Sequence, residues 1–239
     1  SENLNLEQRV AITPDVVKKY KSLGLEVYLS KDYATHLGIS DKRYEIEGAS
    51  IKSINETISN SDAILQMNIP SNENLDKLKN DQILVGVLDP YNNEKKLDEI
   101  TKKNINCFSL ELLPRITRAQ SMDILSSQAN LAGYKAVIES FANFEKAIPM
   151  MMTAAGTVPA AKILVVGAGV AGLQAIATAK RMGAIVFATD VRMASKEQVE
   201  SLGGKFLTVE GAENLETEGG YAKEASGEFK KKQEELLSE

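Results

Sequence analysis

The chain has 239 residues and a net charge of −5, with 43% hydrophobic and 26% charged residues. That composition suits one large or two small globular domains and excludes a disordered chain. One histidine, His36, and one cysteine, Cys107, exclude a disulfide framework and disfavour a structural metal site, and interspersed charges disfavour nucleic-acid binding. We expect Cys107 to be buried and reduced, and His36 to lie in a surface loop.

The first half of the chain alternates between amphipathic helical segments and short apolar runs. Thr13 and Pro14 are typical of a helix start, and Gly24 ends that helix. A first strand follows at residues 25–29, and the helix and strand pairs after it lie at 53–60 and 63–69, at 75–80 and 82–88, and at 95–103 and 105–110. This alternation predicts a doubly wound parallel sheet in an α/β lobe over residues 1–118.

A long helical pattern then leads into a second α/β block. Residues 116–144 contain no proline and predict one helix, or two joined near Gly133, and we assign 119–148 as the helix that connects the lobes. Residues 149–239 form the second lobe, a Rossmann fold that we expect to be truncated at its C-terminus, because a complete one has more strands. The uncharged run 163–179 is too short for the roughly 20 residues of a membrane-spanning helix.

A glycine-rich turn in the second lobe has the pattern of a dinucleotide-binding site. Gly167, Gly169 and Gly172 follow an apolar strand and open a helix, and Asp190 stands 18 residues after Gly172 at the end of the next strand. Small residues there allow a tight turn and a close approach of the pyrophosphate, and an acid in that place accepts hydrogen bonds from the adenosine ribose. The acid favours NAD over NADP, although Arg192 could accommodate a 2′-phosphate, and a turn without any ligand is the remaining alternative.

A second polar cluster lies where the long helix begins. Arg115, Arg118, Gln120 and Asp123 place cations, an amide and a carboxylate within nine residues. Their spacing alone leaves two interpretations open, a ligand-binding cluster and a surface network of salt bridges.

Four segments of the sequence carry a family resemblance. They are EQRVAITPDVV at 7–17, PRITRAQSMDILSSQANLAGYKAV at 114–137, the GAGVAG turn with TDVR, and GGYAKEASGEFKKKQ at 219–233. Together they resemble the NAD(H)-binding domain I of the proton-translocating NAD(P) transhydrogenase alpha subunit. The resemblance extends over essentially the whole chain.

The resemblance implies a hydride-transfer enzyme. Domain I of that family is a homodimer that binds NAD(H) and exchanges a hydride with NADP(H) on domain III. A membrane domain II couples this exchange to proton translocation, so domain I is held at the cytoplasmic side of the inner (plasma) membrane through its partners. No metal is implied.

The same resemblance assigns site residues by position. Arg115, Gln120 and Asp123 take the catalytic positions around the nicotinamide. The positions that contact cofactor are Arg115, Ile116, Thr117, Arg118, Gln120, Asp123, Ser126, Gly167, Gly169, Val170, Gly172, Asp190, Val191, Arg192, Gly220, Tyr221 and Gln233. Gly220 and Tyr221 belong to a loop that closes over NAD(H) in the family, so this segment is interpreted as a lid.

Two other functions remain as alternatives. The first is an alanine dehydrogenase-like oxidoreductase, because Arg9 matches the arginine which that family uses for the substrate carboxylate. Asn68 and Asp89 stand where it has a substrate lysine and a catalytic histidine, which disfavours amino-acid chemistry. The second is a module that binds NAD(H) without catalysing a reaction.

Overall fold

A computed structural model describes residues 2–114, 116–208, 226–227, 231–232 and 234–235. The chain divides into two compact units, Ser1–Ile124 and Leu125–Glu239. Each unit has parallel strands joined by helices, which confirms the predicted α/β class with parallel sheets.

Two parallel sheets form the first unit. Its helices are α1 (Pro14–Ser22), α2 (Asp41–Ile46), α3 (Ile54–Asn60), α4 (Asn72–Lys77) and α5 (Glu94–Lys102). Its strands are β1 (Tyr28–Ser30), β2 (Ser50–Lys52), β3 (Ala63–Asn68), β4 (Ile83–Val87) and β5 (Asn106–Ser109). Short 3-10 turns cover Thr35–Leu37, Leu110–Leu112 and Thr117–Met122. β1 pairs with β2, and β4 lies between β3 and β5.

Local signals fix the first helices. Thr13 has extended backbone before Pro14, and Gly24 follows α1 with φ of 81°, a left-handed conformation that favours glycine. Ser53 and Glu56 form a reciprocal capping box at the start of α3. Fully buried Val17 packs in one core, beside β1 and β2, and Leu84 of β4 packs in the other.

The second unit has a helix, a hairpin and a three-stranded parallel sheet. Its elements are α6 (Ile124–Ala142, which starts at the last residue of the first unit), β6 (Met151–Thr153), β7 (Gly156–Val158), β8 (Lys162–Val166), α7 (Val170–Arg181), β9 (Ile185–Thr189), α8 (Ser195–Ser201) and β10 (Lys205–Phe206). The sheet order is β10-β9-β8, the 3-2-1 order of a mononucleotide-binding half. Ile176 of α7, Val186 of β9 and Val199 of α8 form its fully buried core.

Several elements differ from the sequence-based expectation. α6 runs through Gly133 without a break and is shorter than the 119–148 segment predicted for it. α2, β2 and the β6-β7 hairpin were not predicted. Cys107 was expected to be buried, but it is exposed on β5, which lies at the edge of its sheet. Within the described ranges, no helix is long and apolar enough to cross a membrane.

Candidate functional site

The glycine-rich turn links the end of β8 to the start of α7. Gly167 has φ of 96°, which a residue with a side chain adopts only with strain, and its N–H donates to the Thr189 carbonyl at 2.8 Å. Gly169 is the exposed N-cap residue of α7, with extended backbone. The turn therefore reverses the chain tightly and presents the N-terminus of α7 to the outside.

Glycine is needed at two close contacts between backbones. A Cβ on Gly172 would lie 1.8 Å from the Gly167 carbonyl oxygen, and one on Gly133 would lie 2.0 Å from the Ala171 carbonyl oxygen. A Cβ on Gly169 would meet nothing within 4 Å. The turn is thus closely packed beneath Gly172 and open above Gly169, which is the space a ligand phosphate needs.

Asp190 connects the end of β9 to this turn. One carboxylate oxygen, Oδ2, accepts hydrogen bonds from the Ala168 N–H at 2.7 Å and from Arg192 Nη2 at 2.9 Å. The other, Oδ1, accepts from the N–H and Nε of Arg192 at 2.8 and 2.9 Å. The Asp190 side chain is 6% exposed and that of Arg192 is 21% exposed.

These contacts keep Asp190 ionised. Burial by itself raises the pKa of this carboxyl, but the hydrogen bonds from Arg192 and Ala168, together with the guanidinium charge, outweigh it. The net result is a pKa below its ordinary value. The site therefore offers a fixed carboxylate beside a helix N-terminus.

The glycine turn and Asp190 fit a dinucleotide. The open space over Gly169 and the first turn of α7 suit a pyrophosphate, and Asp190 stands at the end of the neighbouring strand, where a ribose-binding acid is found. Val170 is 40% exposed at the start of α7, and Val191 is half-buried next to Asp190. The structure thus brings together the sequence-predicted residues 167–172 and 190–192.

The other predicted cluster belongs mainly to the first unit. Residues 117–122 form a 3-10 turn, closed by hydrogen bonds from Ala119 N–H to the Ile116 carbonyl at 2.9 Å and from Asp123 N–H to the Gln120 carbonyl at 3.2 Å. Ile116, Thr117, Arg118 and Gln120 are exposed, whereas Asp123, and Ser126 on α6, are half-buried and engaged in polar contacts.

Some predicted residues cannot be placed. Arg115, Gly220, Tyr221 and Gln233 lie outside the described residues. A cavity of about 610 Å³ in the first unit is lined by β1 and β3 and contains none of the predicted site residues.

Comparisons with known proteins assign the family. The family models "Alanine dehydrogenase/PNT, N-terminal domain" and "Alanine dehydrogenase/PNT, C-terminal domain" match residues 1–132 and 136–239. The chain belongs to the alanine dehydrogenase/PNT family. Within this family it is 52% identical over 239 residues to the first of the polypeptides that make up the NAD(P) transhydrogenase alpha subunit of Rhodospirillum rubrum, covering 97% of this chain and 62% of that protein.

Solved structures of alanine dehydrogenase/PNT proteins agree with this assignment. The transhydrogenase of Sinorhizobium meliloti superposes with a TM-score of 0.84 at 50% identity, covering 87% of this chain and 63% of that one. An L-alanine dehydrogenase superposes at 0.73 with 20% identity, covering 86% and 58%, which shows a shared fold. The resemblance to the transhydrogenase alpha subunit is thereby confirmed, and the chain spans about three fifths of the relatives that it matches.

The family's alanine dehydrogenase branch directs attention to Arg9. Its guanidinium donates to both carboxylate oxygens of Glu7, from Nε at 2.8 Å and from Nη2 at 2.6 Å, and Asn68 Nδ2 donates to Glu7 at 3.4 Å. The Arg9 hydrogen bond lowers the pKa of Glu7 to about 2. The Asp89 N–H donates to Glu111 at 2.6 Å, and the Asp89 carboxylate accepts from Asn92. These contacts hold the chain's own backbone and side chains together.

Two residues of the dinucleotide site were missed by sequence reasoning. Ala168 supplies the N–H that ties Asp190 to the turn, and Gly133 lets α6 approach α7 closely. A backbone donor leaves no sequence signal. An isolated glycine in a helical pattern does, because it implies close packing or a helix end.

Proposed function

We propose that this chain is the NAD(H)-binding component of an NAD(P) transhydrogenase, in which a hydride passes between NAD(H) and NADP(H). The observation that carries the proposal is the Asp190 carboxylate, bonded to the Ala168 N–H of a glycine turn that is open over Gly169. The names of the relatives in Rhodospirillum rubrum and Sinorhizobium meliloti support the same reaction.

The second unit would hold the adenosine diphosphate portion of NAD(H). The N–H groups at the start of α7 would face the phosphates, since a helix N-terminus favours anions. Asp190 would accept from the ribose hydroxyls, with Val191 and Arg192 beside it, and Val170 would contact the cofactor at the turn. The Asp190 charge would repel a 2′-phosphate, which supports NAD(H) on this chain and NADP(H) on a partner.

Hydride transfer between two nicotinamides asks the protein for positioning. Bound NAD(H) supplies the reactive C4 carbon that accepts or gives the hydride. Arg115, Gln120, Asp123 and Ser126 would orient the nicotinamide and exclude water, so that the two C4 atoms meet at about 3–3.5 Å. Proton transfer by a side chain is not required, and His36 instead bonds the Gln8 carbonyl in a surface turn.

A lid and several partners complete the proposal. Gly220 and Tyr221, with Gln233 after them, would close over bound NAD(H). Domain III would present NADP(H), and membrane domain II would couple the transfer to proton translocation and hold the chain at the cytoplasmic side of the inner membrane. The exposed methionines of the β6 segment, Met151 and Met152, offer an apolar surface for a homodimer.

Reconstitution with domain III tests the proposal. The purified chain is mixed with an NADP(H)-binding domain III, NADPH and an NAD analogue, and reduction of the analogue is followed spectroscopically. We expect turnover that requires both proteins and that falls in an Asp190→Asn variant. NADH binding by the chain without turnover at saturating domain III would contradict the enzyme proposal and leave a binding module.

An amino-acid dehydrogenase is the second candidate, and its residues argue against it. Arg9 is held at both of its forked nitrogens by Glu7, and Asn68 and Asp89 lack the lysine and histidine chemistry that an imine intermediate needs. The same assay with alanine in place of NADPH should give no reduction of the analogue. Alanine-dependent reduction would overturn this conclusion.

A further inference from the structure

The Asp190 carboxylate is fully occupied by donors of this chain. It accepts four hydrogen bonds, from the N–H of Ala168, the N–H of Arg192, and the Nε and Nη2 of Arg192. An ionised carboxylate has about four lone-pair positions. A further donor can therefore bind Asp190 only by replacing one of these four.

The four donors differ in how easily they can leave. The two backbone N–H groups are fixed by the glycine turn and by the chain that follows β9. The two guanidinium donors stand on a side chain that is 21% exposed, while the carboxylate beneath is 6% exposed. The Arg192 side chain is thus the replaceable partner, because it lies between Asp190 and solvent and can rotate outward.

The number of replaceable donors matches the ligand. A ribose presents two neighbouring hydroxyls, and the forked Nε and Nη2 of Arg192 fill two acceptor positions on Asp190. We propose that Arg192 is a specificity-determining residue that competes with the adenosine ribose for Asp190 and withdraws when NAD(H) binds. This inference rests on the proposed function and adds a role for Arg192 that opposes binding of the unphosphorylated ribose.

The withdrawn guanidinium has a second consequence. It is tethered two residues from Asp190, so its charge stays at the edge of the ribose site, where it can pair with a 2′-phosphate. Arg192 therefore weakens the preference for NAD(H) in both directions. It makes the ribose hydroxyls compete for Asp190, and it offsets the repulsion between Asp190 and a 2′-phosphate.

Calorimetric titration of the chain with NADH and with NADPH tests this competition. In Arg192→Met, which removes charge and donors but keeps length, the Kd for NADH should fall and the Kd for NADPH should rise, each by at least about threefold. Arg192→Lys keeps the charge without the fork, so it should tighten NADH and leave NADPH unchanged. Arg181→Met, on the last turn of α7, is the matched control and should change neither Kd.

Opposite changes for the two nucleotides cannot arise from partial unfolding, which weakens both. A direct readout is the Nε–H NMR signal of Arg192, assigned by its loss in Arg192→Met, which should shift on saturation with NAD+. An unshifted signal, or weaker binding of NADH by Arg192→Met, would overturn the inference while leaving the proposed function intact. Absence of NADH binding by the unmodified chain would instead overturn the proposed function, and the inference with it.

Discussion

Two glycines of the turn should separate packing from ligand access. In Gly172→Ala, the new Cβ would lie 1.8 Å from the Gly167 carbonyl oxygen, and real Cβ atoms essentially never come closer than 3.0 Å. The backbone would have to move by at least about 1.2 Å to relieve this contact. Overpacking of this kind costs about 1–3 kcal/mol, so we expect that loss in the free energy of unfolding.

Gly169→Ala is the matched comparison. Its Cβ would meet nothing within 4 Å, and the backbone of Gly169 is extended, so the change in unfolding free energy should stay within about 0.5 kcal/mol. The same methyl group would project into the space proposed for the pyrophosphate. We therefore expect the Kd for NADH to rise at least about tenfold, which corresponds to roughly 1.4 kcal/mol.

Urea unfolding and calorimetric titration with NADH measure the two effects separately. The expected pattern is a destabilised Gly172→Ala, and a stable Gly169→Ala that binds NADH poorly. The reasoning is refuted if Gly169→Ala binds NADH like the unmodified chain, or if it loses as much unfolding free energy as Gly172→Ala.

Three further predictions concern other regions of the molecule. Gln120→Ala should lower the rate of hydride transfer with domain III far more than NADH affinity, and equal losses in calorimetry and turnover would contradict its positioning role. Gly133→Ala would place a Cβ 2.0 Å from the Ala171 carbonyl oxygen and should cost about 1–3 kcal/mol in urea unfolding; an unchanged midpoint would rule out the close contact. Because the pKa of Glu7 falls from 4.5 to about 2 on folding, its ionised form stabilises the protein at neutral pH, and this contribution is lost as pH falls from about 5 to about 2. Since Arg9 is half-exposed, we expect Glu7→Gln to cost only about 1–2 kcal/mol at pH 7 and almost nothing near pH 2, and a cost independent of pH would disprove the linkage.

The glycine turn could be predicted because its signals are local. Gly167, Gly169 and Gly172 stand between an apolar strand pattern and a helical pattern, so their place in the chain fixes their place in the fold. The strands β8 and β9 were predicted for the same reason. The hydrogen bonds of Asp190 were not, because two residues of spacing do not show whether the Arg192 side chain turns toward it or away.

The missed features depend on nonlocal packing or lack a strong pattern. β2 has three residues, too few for a clear alternation, and the β6-β7 hairpin turns at Ala154 and Ala155 without the Asn-Gly or Asp-Gly pair that marks such turns. Cys107 was expected to be buried because it stands in an apolar run. Sequence does not show which strand of a sheet lies at its edge, and β5 is an edge strand.

Isotope transfer tests the central claim most directly. The chain, domain III and an NAD analogue are mixed in ordinary water with NADPH that carries deuterium at the transferred C4 position, and the reduced analogue is analysed by mass spectrometry. If this chain holds NAD(H) for direct hydride transfer, each reduced molecule gains one deuterium, and Asp190→Asn lowers the yield without changing that ratio. Reduced analogue that contains no deuterium, or no reduced analogue at saturating domain III, would contradict the account.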